Sequence, residues 1–555
     1  MCRAAVVLFT LLFLLVPAAG AEDLAAPIRL TFIGLNDFHG ALEARHAKVV
    51  GGREVGGIDI IAAYVQALRK ANPGGVLLMD AGDLYQGTLL SAASEGKAVI
   101  EFYNEIGFDA SAVGNHDFDF GPEGYHCVPS SPDEDSLGVI KKRIRESRFP
   151  FLAANIFDRQ TGKPVQWDNL EPYAIVVRKG VKIGVVGLTS VDTPLTTHPA
   201  NVRQLEFRPL LVSLRRVLPA LRAAGASVVI VLVHAGVGVD EESGEAIGPV
   251  ADLARALEPG EVDLILSGHW HMPFAGRVQG IPVMQTWASG VSFARADLEV
   301  DPLTKRVIED RTVLHDSTFF FRSARNGRSL LFAGQVIKPL PQFVRRLRQY
   351  RRSIAHLQRI RLGQAAADLA HHTELDSPVG NLVTDAMRDA DQSIDVAMYN
   401  SGGLRTSIPK GVITFGRIYE VVPFDNSLVK VMLTGVQIRE ILEHGLAGPY
   451  GVMEISGLVV VFDPDRQPGQ RCISIVCSDG KELEDDRLYT VGTNEFVLNG
   501  GDGYYTFARG RNVHNTHTLI RELVARYIKK QGIVGPAEGG RYRPKRTARG
   551  KKTAH

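Results

Sequence analysis

The stretch Val113–Gly121, "VGNHDFDFG", sets an amide, an imidazole and two carboxylates within five residues, directly behind the apolar pair Ala112-Val113. Other apolar runs end the same way. "LNDFHG" closes with Asp37 and His39, "LLMDAGD" with Asp83, "VGNHDFD" with Asn115 and His116, "VLVHAG" with His234, and "LILSGHWH" with His269 and His271. Singly, each reads as a turn whose side chains cap backbone amides. Together, five separate runs that deliver oxygen and imidazole donors read as a metal site. Donors of these types without a thiolate suit zinc, manganese, iron, cobalt or nickel rather than a soft ion. Asp37, His39, Asp83, Asn115, His234, His269 and His271 outnumber the ligands of one tetrahedral zinc. They suit two ions that share a bridging carboxylate. Two-metal sites clamp phosphoryl oxygens and activate a water, so hydrolysis of a phosphate ester is the natural reaction.

Such donors converge only if the elements behind them line up. From residue 28 to about 320, short apolar runs alternate with amphipathic stretches. "IRLTFIGLND", "GGVLLMDAGD", "ASAVGNHD", "KIGVVGLTS", "SVVIVLVHAG" and "VDLILSGHWH" read as buried strands. "GIDIIAAYVQALRKA" and "PLLVSLRRVLPALRAAG" read as intervening helices. The alternation predicts an α/β or layered α/β domain, in which ligands at strand ends gather at one sheet edge. Residues 339–362 are rich in Arg and Gln with a weak apolar stripe, and predict a mostly exposed connecting helix rather than a nucleic-acid surface. A second globular segment follows over 363–535. It has helix-like "SPVGNLVTDAMRDA", strand-like "IDVAMYN", a strand–turn–helix in "LVKVMLTGVQIREILEHGL" and loop-rich "EFVLNGGDGYYTF".

A chain of 555 residues is too long for one core, and two domains are expected. At 45% hydrophobic and 22% charged residues it reads as a soluble globular protein, and a net charge of +2 points to no particular partner. Arg3, the apolar run Ala4–Val16 and the small residues Ala19 and Ala21 read as a secretory signal, too short to span a membrane. The mature protein is then exported and begins near Glu22. Cys127, Cys472 and Cys477 remain, an odd number that excludes a fully paired framework. If Cys472–Cys477 is one extended strand, its ends lie about 16 Å apart, too far for a bridge. The basic end "RYRPKRTARGKKTAH" reads as a solvated, disordered tail. The expected division is a signal at 1–21, a first domain at 22–335, a linker helix at 336–362, a second domain at 363–535 and a tail at 536–555.

The series "DFHG…AGD…GNHDFD…H…GHWH" resembles the calcineurin-like metallophosphoesterases. Within them it is similar to the exported 5′-nucleotidase family, which includes periplasmic UDP-sugar hydrolases and 2′,3′-cyclic phosphodiesterase/3′-nucleotidases. The likeness continues through "GLTSVDTP", "GNLVTDA", "NSGGLR", "VPFDNSL" and "NGGDGY", covering nearly all of the mature chain. It implies a four-layer α/β/β/α catalytic domain with two divalent ions, foremost zinc, manganese or cobalt. Asp37, His39 and His271 would hold the first ion, Asn115, His234 and His269 the second, and Asp83 would bridge. His116 would serve the phosphoryl or leaving oxygen, oriented by Asp119; Asp117 receives no role. His271 stands where close relatives often carry Gln or Asn.

The resemblance also implies that a C-terminal α/β domain captures a nucleotide and rotates against the first domain to deliver it. Asn400 and Arg405 flank a Gly-rich turn, and Arg offers a fork for phosphate. Phe424 and Phe496 would sandwich the base, Asn426 would contact it, and Asp502 would accept the ribose hydroxyls. Some relatives carry extra Arg residues before "GNL"; here "HHTELDSPVGNL" carries Glu374 and Asp376 instead, leaving Arg405 as the main anchor. The expected reaction is hydrolysis of nucleoside 5′-monophosphates, with UDP-sugars as further substrates, by a monomer with no nucleic-acid polymer as partner. The rivals are a 2′,3′-cyclic phosphodiesterase/3′-nucleotidase, a non-catalytic nucleotide-binding surface protein, and a sulfur-ester hydrolase of related fold.

Overall fold

The computed structural model describes residues 26–545, apart from 125, 126, 130, 241, 325–328, 372–374, 449, 538 and 539. The proposed signal, the last ten residues and Glu374 lie outside the described residues. The first domain is built on two stacked sheets. In one, Ile28–Leu35 runs parallel to Val76–Asp80, followed in order by Ala110–Ala112, Phe151–Leu152 and Leu170–Glu171, with Ser292–Val300 and Val313–Phe319 completing the other edge antiparallel. In the other, Val181–Thr189, Val228–His234, Leu264–Ser267 and Ile281–Gln285 run parallel, between the antiparallel edges Tyr173–Arg178 and Phe274–Val278.

The residue pattern explains the stacking. A strand covered on both faces must be apolar on both, which is why "VVIVLVH" is continuous rather than alternating. Leu30, Phe32, Leu77 and Met79 of the first sheet meet Val185, Ile230, Leu232 and Leu266 of the second in a shared inner core. At Gly187 the sheets come so close that a β-carbon would stand 2.1 Å from the carbonyl of Leu152. Helices Ile58–Ala71, Lys97–Ile106 and Gly138–Glu146 cover the outer face of the first sheet. Leu210–Ala223 and Pro249–Arg255 cover the second. The result is the expected α/β/β/α arrangement.

The connecting helix, Pro341–Gln358, has the expected exposed face, and its apolar stripe is packed. Phe343, Leu347 and Ile354 recur at helical spacing and are buried in the same cluster as the first domain's outer helices. Phe343 stacks on Phe102 at 6.0 Å, and the Tyr350 hydroxyl donates to Glu101 at 2.7 Å. Arg345, Arg348 and Arg352 occupy the solvent face. Few apolar residues suffice because each is large and falls on one stripe.

The second domain carries a five-stranded sheet in the order Met453–Ser456, Val396–Asn400, Leu488–Asn494, Ser427–Thr434, Arg511–Leu519. Helices Pro378–Asp389, Phe415–Val421 and Ile520–Gln531 pack on one face and Gly435–Ala447 on the other. Ser377 caps the first of these helices, and Thr434 with Gln437 closes a capping box on the last. Cys472 and Cys477 end one strand and are free thiols, as the spacing requires.

Part of the segment expected as a disordered tail is ordered. Tyr542–Pro544 adds a parallel strand beside Leu458–Phe462. The Tyr542 ring is 3% exposed and its hydroxyl donates to the Met453 carbonyl at 2.8 Å. Beside it, Arg541 forks onto both Asp385 oxygens at 2.7 Å, so an aromatic and a basic residue together dock the segment on an edge that offers unpaired backbone groups. Replacing Tyr542 with Ala should cost about 3 kcal/mol of stability, read as an earlier denaturant midpoint. An unmoved midpoint would show the strand to be ornamental.

Candidate active site

The five ligand-bearing turns arise where strands stop. Ile28–Leu35 is followed by Asp37 and His39, Val76–Asp80 by Asp83, Ala110–Ala112 by Asn115, and Leu264–Ser267 by His269 and His271, while His234 ends Val228–His234. Asp37, His39, Asp83, His269 and His271 all take left-handed backbone, with φ between 49° and 80°. Such conformations cost free energy for non-glycine residues and persist where the surroundings fix them. Here they turn each side chain back over the sheet edge.

The sequence-proposed ligands do converge. Asp37, His39 and His271 offer donor atoms that lie within 4.8 Å of one another, as do Asp37, Asp83 and His234. Nε2 of His39 and Nε2 of His271 face each other at 3.1 Å. Asp83 Oδ2 lies 3.2 Å from His234 Nε2 and 3.9 Å from His39 Nε2, so one carboxylate oxygen faces both halves of the cluster. Asn115 Oδ1 stands 3.0 Å from His234 Nε2. His269 packs edge-on against His234 with ring centroids 5.1 Å apart. Its Nε2 stands 3.7 Å from Asp192, which lies outside the expected ligand set.

Outer contacts fix which atom of each ligand faces inward. His39 Nδ1 pairs with the Gln86 carbonyl at 2.9 Å and His234 Nδ1 with the Ala81 carbonyl at 2.8 Å, leaving both Nε2 atoms to the centre. The Asn115 amide donates to the Thr196 carbonyl at 2.8 Å, which turns its oxygen inward. Asp37 Oδ2 accepts from Asn36 and from the His269 backbone N–H, while Oδ1 is buried without a hydrogen bond. Asp83 Oδ1 accepts from the His116 N–H at 2.8 Å, and Oδ2 is likewise orphaned. Two buried anionic oxygens without donors, opposed by two imidazole nitrogens, are what divalent ions complete; the donor set fits them.

The electrostatics agree. Burial works to raise Asp83, but His234, His116 and His39 pull it well below the carboxylate range. Burial opposes charge on His234, yet Asp83 and Asp37 push it up to about 10. Burial and the nearby Arg405 push His39 well below the ordinary imidazole value.

Beside the cluster, His116 Nδ1 meets Asp119 Oδ2 at 2.6 Å, and Asp119 Oδ1 accepts from Thr197 at 2.7 Å. Burial disfavours the imidazolium, but Asp119 and Asp83 raise His116 above its ordinary value. Asp117, which sequence reasoning left without a role, ties the turns together. Its buried carboxylate accepts from the backbone N–H groups of Leu84 and Gly114 at 2.9 Å each and of Asp83 at 3.3 Å.

The second domain closes over this edge. A cleft of about 1250 Å³ is lined by both domains, and every proposed substrate residue borders it: Asn400, Arg405, Phe424, Asn426, Phe496 and Asp502. Arg405 reaches within 3.3 Å of His39 Nε2. The Phe424 ring lies 5.4 Å from that of His116. Asn400 donates to Asp502 at 2.8 Å and accepts from Asn494 at 2.9 Å, which fixes its amide and leaves one N–H and one lone pair over. Burial pushes the Asp502 carboxyl up to about 7 against that hydrogen bond. Asp192, His198 and Tyr450 also border the cleft and were missed. "GLTSVDTP" held the signal for Asp192; nothing local marked the other two.

Residues 30–273 match the family model Calcineurin-like phosphoesterase, and residues 353–509 match 5′-nucleotidase, C-terminal domain. The chain is 27% identical to endonuclease YhcR of Bacillus subtilis over 86% of its length, spanning 38% of that protein. It is 26% identical to human 5′-nucleotidase, covering 95% of this chain and 91% of that one. Its fold superposes on the 5′-nucleotidase precursor of Thermus thermophilus with a TM-score of 0.78 at 26% identity, covering 93% of this chain and 99% of that one.

Replacing Asp117 with Ala would strand three buried N–H groups around Asp83, at about 1–3 kcal/mol for each group left unpaired. The variant should bind fewer than two divalent ions per chain by elemental analysis after metal loading and dialysis. Full occupancy would show that the turns hold without it.

Proposed function

Because the chain belongs to the calcineurin-like phosphoesterases that carry a 5′-nucleotidase C-terminal domain, we propose that this metal-dependent phosphoester hydrolase cleaves nucleoside 5′-monophosphates to nucleoside and phosphate. The observation that carries the reading is the approach of Arg405, from the nucleotidase domain, to His39 in the metal cluster at 3.3 Å. A phosphoryl group at the cluster would meet that guanidinium at once, with its nucleoside extending into the cleft.

Asp37, His39 and His271 would hold one divalent ion, Asn115, His234 and His269 the other, with Asp83 between them. Ions held there supply Lewis acidity and a water nucleophile available at neutral pH. Water attacks phosphorus in line with the 5′-oxygen, and the P–O bond to the ribose breaks. Arg405 binds the phosphoryl oxygens. His116, oriented by Asp119, donates its proton to the departing 5′-oxygen. Phe424 and Phe496 clamp the base, and Asp502, positioned by Asn400, accepts the ribose hydroxyls. Since Arg405 and Phe424 press against His39 and His116, substrate enters only when the domains part. The pattern of residues 1–21 supports export, and no described helix is long and apolar enough to cross a membrane.

A second reading has its own support. Arg405 is the only Lys or Arg among the described residues that line the cleft. A phosphodiester carries less charge than a monoester and needs fewer cations, which favours the cyclic-diester step of a 2′,3′-cyclic phosphodiesterase/3′-nucleotidase. AMP, 3′-AMP, 2′,3′-cyclic AMP and UDP-glucose, assayed with added Mn, Zn, Co or Mg, separate the readings. The proposal expects AMP to give the highest kcat/KM; a clear preference for 3′-AMP or the cyclic ester reverses it. Changing His116 to Ala should lower kcat by about a hundredfold or more while leaving nucleotide affinity within about tenfold. Equal losses in both would deny His116 its role in proton transfer.

A further inference from the structure

Two buried side chains on opposite walls of the cleft lack hydrogen-bond partners. His198 belongs to the phosphoesterase domain, just before the short helix Pro199–Val202; it is 7% exposed and neither ring nitrogen is paired. Asn426 belongs to the second domain, two residues past Phe424; it is 6% exposed and its Oδ1 is unpaired. Both border the cleft. The Asn426 side chain lies close enough to interact weakly with His198, but no hydrogen bond of normal length and angle joins them, so both keep polar capacity for a third group. Native proteins pair nearly all buried polar groups, so an unpaired couple facing a cleft points to a ligand that completes it.

The chemistry of the couple narrows that ligand. The charged groups acting on His198 are Glu495 and Asp119, both carboxylates, so the subsite repels an anion and does not suit phosphate. Burial favours the neutral imidazole, which offers one N–H donor and one acceptor. Beside it, Asn426 Oδ1 is an acceptor. A neutral donor next to an acceptor complements the polar edge of a nucleobase, which sets an acceptor beside an N–H. Phe424 and Phe496 border the same cleft.

We propose that His198 reads the polar edge of the nucleobase together with Asn426, so that the phosphoesterase domain itself contributes to base recognition. The proposal rests on the nucleotide reading above. It makes the base contact a property of the closed arrangement, formed by the same closure that brings Arg405 to His39. A nucleotide held by the second domain alone would not sense His198.

The test uses the metal-loaded full chain and four substrates: AMP, IMP, purine riboside 5′-monophosphate, which lacks an exocyclic group, and ribose 5-phosphate, which lacks a base. The wild type should favour the better of AMP and IMP over purine riboside 5′-monophosphate by about tenfold in kcat/KM, since that analogue leaves one polar group unpaired. In His198→Ala, kcat/KM for AMP and IMP should fall at least about tenfold further than for ribose 5-phosphate, and the preference over the analogue should vanish. His198→Gln, which keeps a donor and an acceptor, should retain part of the preference, and Asn426→Ala should weaken it. A parallel fall on all four substrates, or no fall, overturns the proposal while leaving nucleotide hydrolysis intact. Wild-type activity on ribose 5-phosphate but on no nucleotide would overturn the nucleotide reading itself. Should His198→Ala fail to fold by circular dichroism, His198→Gln and Asn426→Ala carry the same comparison.

Discussion

Two carboxylates, Asp37 and Asp83, sit completely buried with one oxygen each lacking a hydrogen bond, and the rest of the molecule is arranged around that cost. An unpaired buried anion is among the most expensive features a fold can carry. Nothing about the sheets requires it. The strands could have ended in the turn residues that cap backbone amides, and instead they end in acceptors aimed at one another and at imidazoles. The site is thus written as a concentration of buried carboxylate charge opposed by imidazoles, and the left-handed turns, the outer hydrogen bonds and Asp117 keep it from relaxing.

How much of this was legible follows from where the information lies. The convergence of these side chains was readable because each sits within four residues of the end of an apolar run, so period and chemistry coincide in a few residues. Layering was readable for the same reason: runs such as "VVIVLVH" are apolar on both faces. His198 and Tyr450 were not readable, because each lies in a loop that borders the cleft, and loops carry no period. The connecting helix was half legible. Its Arg content announced a solvent face, but Phe343, Leu347 and Ile354 were too sparse to announce the packed one. The strand at Tyr542–Pro544 was hidden by basic neighbours, since its partner edge lies some eighty residues upstream.

The division of labour between domains also has a physical basis. The first domain supplies rigid donors at the edge of two stacked sheets, where parallel strands fix their spacing. The second supplies longer and softer groups: a guanidinium, two aromatic rings and a carboxyl held near neutrality.

The order of the metal-binding side chains along the chain has one more consequence. Asp37 and His271 bracket most of the first domain, and the donors between them come from both sheets. An ion that engages them therefore acts as a clasp, drawing together segments whose closure is otherwise an entropic loss. By mass action such a clasp favours the folded chain in proportion to ion supply. This would tie resistance to proteases to the supply of divalent ions, so scarcity would shorten the lifetime of the molecule as well as silence it.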